Sequence, residues 1–364
     1  MWLLPTAGLL SAGPGHFLHA TETNGVAESA VDRAWSALKH DQLTPPPALK
    51  QNPDRMLTAE EISAYYIGLA RRAGEVADEA RQFYTQHPDD ARAGDAREIW
   101  FDMLHIAVGL NGTNRVAELE AATAARQALA PDEGTRFQLA LRLLHSAVTG
   151  RQYVDDEAMR AELEQRARKL ARDYPSHSEG FNYLLDLARN AAPEKSAVLA
   201  REVLTGSGDE KVRAECRGLI NRAEAVNHPL TLSLSLADGK RLDLEQYRGR
   251  AVLLLFWESS TRFSSKAIWA VNELYKTYHA QGLEAVGLNF DEDQGRAAGV
   301  LQDVPVDWPQ YFDVPAGRKV QSQFGVHALP MCWLLDKKGV LRELKAERDP
   351  EGLVKKMLGE DVKS

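Results

Sequence analysis

The sequence predicts two architectures in one chain: an all-α N-terminal domain, either a helical bundle or repeat-like, followed by an α/β domain. Three observations carry this. Segments rich in Ala, Leu, Glu and Arg, all strong helix formers, run from 27 to 226. At Leu230 the apolar period changes to two, with Leu230, Leu232, Leu234 and Leu236 alternating with Thr and Ser, as in a strand with one buried face. Then Ala251-Val252-Leu253-Leu254-Leu255-Phe256-Trp257 is apolar throughout, as in a central strand covered on both faces.

Residues 2–18 contain no Lys, Arg, Asp or Glu, and the run over 2–10 is similar to the apolar part of an export signal. Ala12-Gly13 or His19-Ala20 would precede its cleavage point, although no basic residue opens it. Residues 1–26 are therefore read as an export signal or a disordered tail. Pro5 and Pro14 interrupt the segment too soon for a membrane span. The expected location is periplasmic or otherwise exported, with the cytoplasm as the alternative.

Residues 27–227 are assigned to the helical domain. Helices are expected over 59–85, 97–110, 115–128, 135–149, 156–173, 180–191 and 195–204. Pro88, Asn111-Gly112, Pro131 and Pro175 stop four of them. Phe137, Leu141, Leu144 and Val148 show the three-and-four spacing of a buried helix face. Thr44-Pro45-Pro46-Pro47 is a stiff spacer after the first helix. The segments 80–88 and 167–175 both run small, basic, apolar, aromatic or His, then Pro, which resembles the second helix of a tetratricopeptide hairpin. Either this domain offers a repeat surface to a peptide, or it is a plain bundle packed on the C-terminal domain.

Asn227-His228-Pro229 marks the boundary, leaving 228–364 for the α/β domain. Its expected elements are a hairpin turn at Ala237-Asp238-Gly239-Lys240, a helix over 264–281, and strands over 285–290 and 331–335. A turn at Asp336-Lys337-Lys338-Gly339 and a closing helix over 350–358 complete it.

Composition narrows the functions. The 364 residues carry a net charge of −8, so no basic stripe suited to nucleic acid is present. Two cysteines, Cys216 and Cys332, are too few for a disulfide framework or a cysteine zinc site. No histidines pair at metal-ligand spacing and no phosphate-binding loop occurs, so no cofactor and no metal are expected. Asp291-Glu292-Asp293 reads as a solvated loop rather than a calcium site.

Several motifs of the last third act in combination: Asp238-Gly239-Lys240, Tyr247-Arg248-Gly249, Leu255-Phe256-Trp257, Asp291-Glu292-Asp293, Phe324-Gly325-Val326, Ala328-Leu329-Pro330 and Leu335-Asp336-Lys337-Lys338-Gly339. Together they resemble the thioredoxin-like thiol-disulfide proteins of the TlpA and redoxin type, over roughly 229–358. The resemblance implies a Cys-x-x-Cys after the Phe-Trp of the central strand, where a helix N-terminus stabilises the attacking thiolate and the second thiol resolves the mixed disulfide. Here those positions are Thr261 and Ser264, and hydroxyls form no disulfide. The acidic residue and the helix-kinking proline that the family often carries fall on Ala267 and Trp269. Four active-site features are thus missing together.

Pro330 corresponds to the family's cis-proline, which shapes a groove for extended peptides; it is either a fold requirement or the wall of a retained groove. Trp257, Thr261, Arg262, Ser264, Lys266, Leu329 and Pro330 are the candidate binding residues, with no catalytic residue assigned. Arg262 and Lys266, beside a helix N-terminus, suit an acidic group or simply accompany ordinary capping. Both cysteines are read as packing residues. The expected function is a redox-inactive, peptide- or protein-binding module of the cell envelope. The alternative is a thiol-disulfide oxidoreductase or peroxiredoxin-related enzyme that uses Cys332 or a partner's thiols, and a third reading makes the helical domain the working part.

Overall fold

The computed structural model describes residues 29–44, 56–110, 113–149, 156–206, 208–235, 241–312, 319–326 and 329–359. The apolar segment 1–26, the prolines at 45–47, Asn111-Gly112 and the turn at 237–240 lie outside the described residues. Two compact units divide the chain between Ala107 and Val108.

The first unit contains α1 (Ala30–Leu43), α2 (Ala59–Gln86) and most of α3 (Ala93–Gly109). Thr58 starts α2 through a capping box: its hydroxyl accepts from Glu61 N at 3.2 Å, and the Glu61 carboxylate accepts from Thr58 N at 2.9 Å. Leu38, Val76, Ala80, Phe83, Ala96 and Ile99 form its core.

The second unit opens with α4 (Val116–Leu129), α5 (Glu133–Thr149), α6 (Asp156–Asp173), α7 (Glu179–Asn190), α8 (Pro193–Gly206) and α9 (Glu210–Ala225). Helices α6 to α9 share a core that includes Ala167, Phe181, Leu184, Leu199, Val203, Cys216 and Leu219. Gly180 permits the close crossing of α7 on α6, since a Cβ there would stand 2.5 Å from Ala171 N.

The remaining elements are β1 (Ser233–Ser235), β2 (Arg241–Asp243), β3 (Ala251–Trp257), α10 (Ser264–Tyr278), β4 (Leu283–Asn289), α11 (Gln294–Asp303), β5 (Gln310–Phe312), α12 (Lys319–Phe324), β6 (Met331–Leu335), β7 (Leu341–Glu343) and α13 (Pro350–Gly359). Strands β1 and β2 make a separate antiparallel pair. The main sheet has the order β5-β4-β3-β6-β7, with β3, β4 and β5 parallel and β6 and β7 antiparallel to their neighbours. This is the arrangement of a thioredoxin-like domain.

Every residue of β3 is buried, as its unbroken apolar run requires. Val252, Leu254 and Phe256 join one core with Leu288, Phe324, Val326, Met331 and Trp333. Leu253, Leu255 and Trp257 join the opposite core with Ile268 of α10, Cys332, and Val354 and Met357 of α13.

Alternation from Leu230 predicts a longer first strand than β1. Leu230 and Leu232 are buried as expected, but the segment divides its pairing: Pro229 bridges Val340, and the ladder with β2 begins at Ser233. Three short elements, α11, β5 and α12, have no counterpart in the expectations, because too few residues repeat in them for a period to show. The predicted boundary at 227/228 falls inside a backbone ladder. Asn227 N donates to Leu341 O at 2.8 Å, and Leu341 N donates to His228 O at 3.1 Å.

Candidate functional site

The site lies where β3 ends. Glu258 to Phe263 turn the chain from the sheet into α10, at the carboxyl end of two parallel strands, where open α/β sheets present their ligand-facing loops. Phe256 pairs with Met331, so Pro330 stands beside the end of β3 at this same rim of the sheet. The peptide bond Leu329–Pro330 is cis, and both residues are half-buried.

Thr261 and Ser264 are brought together. Their hydroxyl oxygens share a hydrogen bond of 2.6 Å, and Ser264 N donates to Thr261 O at 3.1 Å. Ser264 is buried and Thr261 half-buried. No side chain caps α10; the two hydroxyls share one hydrogen bond, and Thr261 Oγ1 also stands 3.5 Å from Glu258 O.

Arg262 and Lys266 are exposed, with the Arg262 guanidinium 4.9 Å from the centre of the Phe263 ring. Phe263 and Trp269 are 55% and 58% exposed, which places two large aromatic side chains in water beside two cations. Trp257, expected among the binding residues, belongs to the core instead. It is fully buried, and its indole N–H donates to Gln310 Oε1 at 3.1 Å. Its position at the strand end suggests a rim residue, but strand alternation points its ring beneath α10.

Asp291 is the residue that sequence reasoning misplaced. It is buried, not solvated, and its carboxylate ties down the start of the loop. Ser259 N donates to both of its oxygens at 3.0 Å, and Ser259 Oγ donates to Oδ1 at 2.8 Å. Asn289 Nδ2 donates to Oδ2 at 2.7 Å and to Trp257 O at 3.4 Å. The available signal was the polar pair Asn289 and Asp291, two residues apart at the carboxyl end of an otherwise buried strand.

Neither cysteine is placed for exchange. Cys332 faces the α10 side of the sheet, away from Met331 and Trp333. Burial pushes its thiol far above the ordinary range, and its backbone N donates to Glu347 Oε2 at 3.2 Å. Burial likewise pushes Cys216 up to about 11. At pH 8 both stay protonated, and the thiolate is the nucleophile. Ellman's reagent is therefore expected to titrate no thiol in the folded chain and two in denaturant. Rapid modification of the folded chain would place a reactive sulfur at the surface.

Among the described residues no group of three His, Cys, Asp or Glu is placed to hold a metal, and no helix is long and apolar enough to cross a membrane. The arrangement can therefore present a shaped rim with cationic and aromatic side chains, but holds no dithiol.

Residues 226–344 match the AhpC/TSA family. The thiol-disulfide oxidoreductase ResA of Bacillus thuringiensis subsp. konkukian is 31% identical over 117 residues, covering 32% of this chain and 66% of the relative. ResA of Bacillus subtilis is 28% identical over 102 residues, covering 28% and 56%. The chain thus spans less than two thirds of the length of these relatives. Among solved structures, a putative thiol:disulfide interchange protein DsbE from Chlorobium tepidum is 26% identical, with 36% of this chain and 94% of that one aligned at a TM-score of 0.32.

Proposed function

We propose that this chain, whose residues 226–344 match the AhpC/TSA family, is a redox-inactive protein that binds extended peptide segments along the rim between the 258–264 loop and Pro330. The observation that carries the reading is the Thr261–Ser264 hydroxyl pair, hydrogen-bonded at 2.6 Å where the resemblance places two thiols. Binding without exchange needs the groove and not the sulfurs. Exposed Phe263 and Trp269 supply apolar area, and Arg262 and Lys266 favour a segment that carries carboxylates. The apolar start of the sequence supports work outside the cytoplasm, in the cell envelope.

The test uses carboxymethylated insulin B chain, an extended thiol-free peptide with carboxylates, titrated by fluorescence polarisation. The parent chain is expected to bind it saturably. An Arg262→Ala, Lys266→Ala variant should weaken binding roughly tenfold, about 1.4 kcal/mol, the upper range for two exposed charge contacts. Unchanged affinity in that variant would remove the basic pair from the site. Absence of binding by the parent chain, or disulfide turnover by it, would overturn the binding role.

A further inference from the structure

The rim has two walls, and the 258–264 side is fixed by Asp291. What fixes the other side comes from outside the sheet. Helix α9 lies against α12 and the turn after it. There Arg222 is buried, and its Nη1 donates to Gly325 O at 3.2 Å. The neighbouring Asn221 donates through Nδ2 to Gln323 O at 3.0 Å. Gly325 has φ +57°, and a Cβ on it would stand 3.1 Å from the backbone of Gly218 and Leu219. The turn therefore needs glycine twice over, for its left-handed backbone and for the close approach of α9.

On either side of that glycine the chain is anchored in the sheet core. Phe324 and Val326 are buried, and the Phe324 ring meets Trp333 of β6 edge-on at 5.5 Å. In the chain, Leu329 and Pro330 stand between the Gly325 turn and the start of β6.

Burial of a guanidinium is costly unless its N–H groups are bonded. Burial also pulls the Arg222 pKa below its usual value, with Glu215 opposing. An apolar side chain in this place would pack α9 on α12 without that cost. It would leave Gly325 O unbonded.

We propose that Arg222 is a positioning residue: from α9 it holds the Gly325 turn, and through it the Pro330 wall of the peptide-binding rim. Its effect on affinity rests on the binding function proposed above, while its hold on the turn does not. The helix that closes the α-layer is on this view a working part of the rim.

The experiment uses the full chain as the parent and as Arg222→Gln, Arg222→Lys and Asn221→Ala. Amide hydrogen exchange is followed by mass spectrometry, and affinity for carboxymethylated insulin B chain by polarisation. Arg222→Gln is expected to raise exchange roughly tenfold or more across 323–335, the effect of losing a buried charged hydrogen bond, and to weaken peptide binding several-fold. Exchange in α6 to α8 should stay as in the parent. Arg222→Lys, which keeps a charged donor, should restore much of both.

Unchanged exchange over 323–335 would overturn the proposal, as would raised exchange with unchanged affinity. If Arg222→Gln exchanges fast everywhere, the gentler loss of one bond in Asn221→Ala decides: a rise confined to 323–335 supports the clamp, and none overturns it. If the parent binds no peptide, the binding function falls, and exchange alone decides whether Arg222 holds the turn.

Discussion

A Thr261→Cys, Ser264→Cys chain is expected to reduce insulin in the presence of dithiothreitol, while the parent chain leaves insulin intact above the reagent blank. The two hydroxyl oxygens already stand 2.6 Å apart. Longer C–S bonds would carry two sulfurs to the disulfide distance of about 2.05 Å without moving the backbone far. The first sulfur would sit before the N-terminal end of α10, where partial positive charge favours the thiolate. Electron balance is simple. The engineered dithiol becomes a disulfide as one insulin disulfide becomes two thiols, and dithiothreitol returns the dithiol. The potential of the new pair is expected within the range of thioredoxin-fold proteins, roughly −270 to −120 mV. A variant that forms the disulfide yet never exchanges with insulin would show that the rim no longer admits a peptide.

The second large effect is expected at Asp291. Replacement by alanine removes the acceptor of the half-buried Ser259 N–H and leaves the buried Asn289 amide only its longer bond to Trp257 O. An abandoned buried donor costs about 1–3 kcal/mol and a half-buried one less, so Asp291→Ala should lose about 2 kcal/mol in urea unfolding. Asp291→Asn keeps one acceptor oxygen and should lose about half of that. Peptide binding should fall in parallel, because Ser259 begins the loop that carries Thr261 and Arg262. A loss under about 1 kcal/mol would mean that water replaces the carboxylate.

The central strand and β6 were legible to the residue, since short apolar runs rich in Val, Leu and aromatics and bounded by turn residues suit strands buried on both faces. So was α6, over 156–173. The missing thiols were legible because they are a matter of residue identity. What escaped was pairing over distance. Asp291 looked solvated because two further acidic residues come after it, and only the fold brings Ser259 to it across 32 positions. Arg222 drew no expectation at all, because its acceptor lies 103 positions away and leaves no local mark. Trp257 was misread because a strand end does not tell which face a ring takes until the helices above it are in place.

The burial of both sulfurs has a consequence for the company such a chain can keep. Proteins that trade electrons through disulfides trap one another as covalent adducts, and any accessible thiolate nearby is drawn in. With Cys332 sealed beneath α10 and Cys216 inside the helical layer, this chain offers such traffic no point of entry. In the binding role proposed above, a held segment would leave by dilution alone, with no covalent adduct to resolve.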